Sequence, residues 1–224
     1  LGWVNSDDIL LPGALQAVED CFKRNPGNQW LYGSCRYIDT GDRAIGDYPV
    51  RPYDYDHLLR HVQNYIPQPA VFLNHTVVNE VGYLNERLHY VMDLEFWLRV
   101  GLKYSAQYLD QPLACLRLHR EAKSIAAFEK FSSELTSTIE TFFLQPGLPP
   151  EILRLQRISR AKAYYLAADM NFWAGNLQNA REYALKSWKL QPIHLHGLYL
   201  YLLLGKLGRQ VASRHHPNPY EMGT

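Results

Sequence analysis

The sequence predicts an α/β domain, a sheet with flanking helices, followed by an all-α extension. Three observations carry this. Strand-like apolar runs alternate with helical periods up to about residue 125. A Pro/Gly cluster, Gln145-Pro146-Gly147-Leu148-Pro149-Pro150, then interrupts the chain. Beyond it only helical periods remain. A chain of 224 residues has room for one domain and a small appendage. The expected division is a sheet domain over 1–145, a helical extension over 150–208 and a disordered tail over 209–224.

Each element has a local reason. Trp3-Val4 reads as a strand end that hands Asn5-Ser6-Asp7-Asp8 to a loop. Pro12 suits the first turn of a helix, where its missing N–H is not needed. Leu15, Val18 and Phe22 give residues 12–24 an amphipathic stripe, and Asn25-Pro26-Gly27-Asn28 stops it. Trp30 to Asp39 reads as a strand, Asp39-Thr40-Gly41-Asp42 as a hairpin turn, and Ala44 to Tyr48 as the returning strand. An irregular loop and a short helix over 54–64 follow. Ile66-Pro67-Gln68-Pro69 is a loop entering a buried strand, because the prolines disfavour helix. A helix over 75–81 ends on Gly82, which suits a positive φ. Asp93 can cap a helix whose apolar face is Phe96, Trp97 and Val100. Tyr104 to Gln107 reads as a short strand, and the alternation from Pro112 to Arg120 as another. A long helix over 126–143 reaches the Pro/Gly cluster. Helices over 151–172, 177–190 and 194–206 complete the extension.

Bulk composition narrows the function. The chain is 47% hydrophobic and 20% charged, as in an ordinary globular protein. A formal net charge of +1 gives no field for nucleic acid or a membrane surface. No run reaches the roughly 18 apolar residues of a membrane span. Cys21, Cys35 and Cys115 match neither a disulfide framework nor a zinc site, so buried free thiols in a reducing, cytoplasmic setting are expected.

Asp7 and Asp8 are the first candidates for chemistry. Paired carboxylates suit a hard divalent cation, although Asx residues before a helix are also common turn formers. Gln68 can hydrogen-bond a ligand hydroxyl or only cap backbone groups in its Pro-rich turn. Asp93 can accept a proton or only cap its helix. Arg117 offers a forked donor for phosphate oxygens, and His119 a metal or phosphate contact; a lone His at a strand end is also a common surface residue.

Four motifs occur in order over roughly the first 125 residues: Asn5-Ser6-Asp7-Asp8, then Gln68-Pro69, then Met92-Asp93-Leu94-Glu95-Phe96-Trp97-Leu98-Arg99, then Arg117-Leu118-His119. Together they resemble the GT-A glycosyltransferases of family 2. Met92 departs from the family's usual Glu. The resemblance implies a Rossmann-like GT-A sheet, a nucleotide-sugar donor, a Mg²⁺ or Mn²⁺ ion, and inversion at the anomeric carbon. It implies Asp7, Asp8 and His119 as metal ligands; Gln68, Arg117 and His119 around the donor; and Asp93 as general base. It also implies that the nucleotide-binding strands precede Leu1 and that the present sheet is partial. The acceptor would be a glycan, a lipid carrier or a protein, and peripheral membrane association is compatible with this class.

Ala174-Gly175-Asn176-Leu177, with Ala180 and Ala184, resembles one tetratricopeptide unit. One unit cannot bury its own face, so a helical cap is the first expectation and a docking surface for a partner protein the second. Two other functions stand beside the transferase: a non-catalytic fragment or interaction module, and a nucleotidyltransferase sharing the acidic metal site.

Overall fold

A computed structural model describes residues 1–118 and 128–192. His119, the helix expected over 194–206 and the tail expected over 209–224 lie outside the described residues. The chain divides into two units. The first comprises Leu1–Leu58, Gln63–Arg87 and Met92–Arg120; the second comprises Leu59–Val62, Leu88–Val91 and Glu121–Thr224.

The first unit is α/β. Its elements are β1 (Ile9–Leu10), α1 (Ala14–Arg24), β2 (Trp30–Ile38), β3 (Ala44–Asp47), α2 (Tyr55–His61, continuing past Leu58 into the second unit), β4 (Val71–Leu73), α3 (His75–Val81), α4 (Met92–Gly101) and β5 (Gln107–Arg117). The strands form one mixed sheet of order β1-β5-β2-β3, with β4 also paired to β2. Only β2 and β5 run parallel; β1, β3 and β4 join antiparallel.

The centre of the sheet is buried on both faces. From β2, Leu31 and Cys35 pack with Ala14, Val18 and Cys21 of α1 and with Leu113 and Ala114 of β5. Trp30 and Tyr32 alternate to the other face. There Trp30 stacks on Trp97 of α4 with centroids 5.4 Å apart, and Trp97 stacks on Trp3 at 5.7 Å. Burying each such large side chain contributes roughly 1.5–3 kcal/mol. Gly33 allows β5 to come close: a Cβ there would collide with the Leu113 side chain.

Several local expectations are altered by tertiary packing. The buried stripe of α1 is Ala14, Val18 and Cys21, while Leu15 is 63% exposed. Small Ala and Cys side chains let the helix lie close on the sheet, which rotates the stripe by one position. Pro12 stands two residues ahead of α1, whose N-cap is Gly13 at φ 80°. The stretch before Asp7 is not a strand. Residues 6 and 7 form a turn, and β1 starts after Asp8. The two strands expected from Tyr104 onward are one bulged strand, β5.

The second unit contains α5 (Phe128–Leu144), α6 (Pro150–Leu153), α7 (Gln156–Ala174) and α8 (Leu177–Leu190). Because α5 groups with this unit, the Pro/Gly cluster is a turn inside it and not the boundary expected between 145 and 150. Helices α7 and α8 form a hairpin around Ala168, Phe172, Ala180 and Ala184. Gly175 ends α7 at φ 90°, and the Asn176 side chain caps α8 by accepting the Asn179 N–H. Among the described residues no helix is long and apolar enough to cross a membrane. Cys21, Cys35 and Cys115 are all free and buried.

Candidate functional site

The sheet register gathers the acidic motif at one edge. Strand β5 pairs Cys115 with Ile9 of β1 and Arg117 with Ile38 of β2. Asp7 and Asp8, just before β1, therefore lie beside the carboxyl ends of the parallel pair β2 and β5. In open α/β sheets that edge is where ligands bind. The chain reaches it by entering β1, not by leaving a strand.

Asp8 is held from both sides. Its Oδ1 accepts the Arg117 backbone N–H at 3.0 Å, and its Oδ2 accepts Asn5 Nδ2 at 3.1 Å. The Asn5 amide also donates to Gln68 Oε1 at 3.1 Å, and Gln68 Nε2 donates to the Trp3 carbonyl. Gln68 is thus a buried organiser of the acidic turn. Burial pushes the Asp8 carboxyl above its ordinary value; the Arg117 backbone N–H opposes this, and the Asp7 charge adds to the rise.

Arg117 does not present its fork to a ligand. Its Nε donates to the Asp7 carbonyl at 2.9 Å and one terminal nitrogen to the Asp39 carbonyl at 2.7 Å. The other pairs with Asp42 at 2.5 Å, and the side chain is only 14% exposed. The phosphate contact expected of Arg117 is replaced by a clamp. The clamp joins the acidic turn to the β2–β3 hairpin, where Asp39 Oδ1 accepts the Gly41 and Arg43 N–H groups.

Asp93 sits in a different setting. It is the second residue of α4, half-buried, with Oδ1 accepting the Leu94 N–H at 2.7 Å. Its Oδ2 accepts Asn64 Nδ2 at 2.6 Å. Burial raises the Asp93 carboxyl to about 6, against the hydrogen bonds from Leu94, from its own backbone and from Asn64. Tyr48 faces this carboxylate, whose charge, after burial, helps hold the phenol well above its ordinary range.

Both acids hang on one short segment. Asn64 holds Asp93, and Gln68 holds Asn5, which holds Asp8. Four Cα steps separate Asn64 from Gln68, a span of at most about 14 Å. Pro67 and Pro69 stiffen it, and the 3₁₀ turn Gln68–Ala70 packs against β1, β2 and β5.

The structure thus brings together Asp7, Asp8, Gln68 and Arg117 around one turn and ties Asp93 to the same segment. His119 lies outside the described residues. Among the described residues no group of three or more His, Cys, Asp or Glu side chains is gathered to hold a metal. Burial and the Asp7 charge both disfavour the ionised Asp8 carboxyl, so a positive charge beside it would be favourable. Sequence reasoning gave no role to Asn5, Tyr48 or Asn64. Asn5 stood inside a motif quoted for its acids; Asn64 carried no signal beyond an amide ahead of a Pro-rich loop.

Compared with models of protein families, the sequence has no match, and compared with curated proteins it has none either.

Proposed function

We propose that this chain carries the acceptor side and metal-binding turn of an inverting, metal-dependent GT-A glycosyltransferase resembling family 2. The observation that carries the reading is Asp93: a half-buried carboxylate, lifted to about 6 and aimed by Asn64, on the segment that also organises the Asp8 turn. A carboxyl of that basicity is ionised at neutral pH and is a better proton acceptor than an ordinary aspartate. An acceptor hydroxyl is a poor nucleophile unless it loses its proton as the new bond forms. Asp93 takes that role.

Asp7 and Asp8 are the residues that would hold Mg²⁺ or Mn²⁺. When bound, the cation neutralises charge growing on the nucleoside diphosphate leaving group. Asn5, itself held by Gln68, fixes the Asp8 carboxylate through Oδ2. The acceptor is a glycan, a lipid carrier or a protein.

A second reading has its own support. Arg117 and both Asp8 oxygens are satisfied inside the protein. That suits a scaffold as well as a donor site. On this reading the chain is a non-catalytic module whose α7–α8 hairpin docks a partner protein.

Titration calorimetry separates the two. UDP- and GDP-sugars are titrated into the full chain with and without Mn²⁺. Manganese-dependent binding that disappears in Asp8→Ala is the expected result. Binding that ignores both manganese and Asp8 would remove the metal role.

A further inference from the structure

Resting on the transferase reading, we propose that Asn64 is the positioning residue of the site: its fixed amide N–H holds the Asp93 carboxylate in the orientation that receives the acceptor's proton. The geometry of Asn64 leaves its amide one orientation. Its Oδ1 accepts the Ile66 N–H at 3.2 Å, which obliges Nδ2 to face Asp93 at 2.6 Å. Its backbone carbonyl accepts the Tyr48 hydroxyl at 3.0 Å, which anchors the residue from a second element. An amide flip would set two acceptors against each other at Asp93 and two donors against each other at Ile66.

The consequence falls on the two oxygens of Asp93. Oδ1 accepts from the Leu94 N–H at the start of α4, and Oδ2 accepts from Asn64. The Asp93 backbone N–H adds a further hydrogen bond to the carboxylate. A lone pair left on the carboxylate is where a proton lands. In the transfer step the acceptor oxygen bonds to the anomeric carbon while its O–H bond breaks, and the proton passes to the Asp93 carboxylate. The bond from the anomeric carbon to the diphosphate oxygen breaks at the same time, and its electron pair leaves with the nucleoside diphosphate.

Asn64 donates more strongly to the charged form of Asp93 than to the neutral one, so its bond also sets where the acid titrates. Among the described residues Tyr48 faces the pair, and it stays protonated throughout the relevant range.

The test is a carbon NMR titration of the Asp93 carboxyl in the full chain, assigned with Asp93→Asn. The wild type is expected to titrate near 6. Asn64→Ala is expected to raise the midpoint by about one pH unit, the loss of a charge-assisted hydrogen bond. Asn64→Asp, which keeps the acceptor for the Ile66 N–H, is expected to raise it further by placing a second carboxylate opposite the first. An unchanged midpoint in folded variants overturns the proposal. Release of UDP from UDP-glucose with Mn²⁺ supplies the second arm, and the acid limb of its pH profile is expected to move with the NMR midpoint. If Asp93→Asn is inactive but Asn64→Ala keeps the wild-type profile, the role of Asn64 falls while the base survives. If Asp93→Asn keeps the wild-type rate, the base itself falls, and Asn64 with it.

Discussion

Asp8 and Asp93 are both acids pushed toward neutrality by burial, yet their neighbours differ in kind. Asp8 has a second carboxylate beside it and an arginine whose backbone and side chain tie down its turn. Asp93 is met by a side-chain amide and backbone N–H groups, without a full charge among the causes of its shift. The first arrangement is a pair of negative charges that a cation would relieve. The second is one negative charge held by dipoles, which a proton neutralises. The same residue type is thereby prepared for two different partners by what surrounds it.

The largest expected effect breaks this comparison on the Asp93 side. On the transferase reading Asp93→Asn removes the proton acceptor, and the transfer rate is expected to fall by about 10²–10⁴ with the fold retained by circular dichroism. Next comes the clamp. Arg117→Ala leaves the carbonyls of Asp7 and Asp39 without their donor and Asp42 without its cation. Denaturant unfolding is expected to show a loss of about 3 kcal/mol. Arg117→Lys cannot reproduce the fork and is expected to recover only part of it.

A third experiment sharpens the Asp8 side. Mn²⁺ at about a hundred times its Kd is expected to stabilise the wild type by about 2.7 kcal/mol. Asp8→Asn is expected to lose that gain and some metal-free stability as well, because its amide sets a donor against the Arg117 N–H or the Asn5 amide. A wild type whose melting temperature ignores manganese would erase the distinction between the two acids.

The last effect, spread over about two pH units, is the pH dependence. Asp93 titrates at about 6 in the folded chain against 3.8 ordinarily, so between those values the folded state holds more protons than the unfolded one. Its contribution is fully present below about 3.8 and is lost as pH rises through about 6. The change is on the order of 3 kcal/mol. Asp93→Asn is expected to flatten this part of the stability profile, and an unaltered slope would show that Asp93 does not carry it.

Local punctuation made much of the fold legible. The helices His75–Val81 and Leu177–Leu190 fall where Gly82, Gly175 and Asn176 set their ends. The hairpin at Asp39–Asp42 follows from Asx and Gly chemistry, and Asp42 takes φ 64° there. What stayed hidden depends on partners far along the chain. Leu15 looked like core because periodicity reports a stripe but not its rotation against the sheet. Arg117 looked like a phosphate ligand because nothing local reveals that residues 7, 39 and 42 enclose it. Asn64 and Asp93 are 29 positions apart, and their hydrogen bond has no periodic signature.

The sequence separations in this site also bear on how the protein is made. Arg117 meets Asp8 across 109 residues, Asn5 meets Gln68 across 63, and the central parallel strands β2 and β5 pair Leu31 with Gln107. Contacts of such long reach accumulate loop-closure entropy before they return any stabilisation. A nascent chain can build α1 and the β2–β3 hairpin while the acidic turn still waits for β5. Maturation of the site is therefore a late event, and a ribosome stalled before Arg117 would display a chain with helices but no assembled centre.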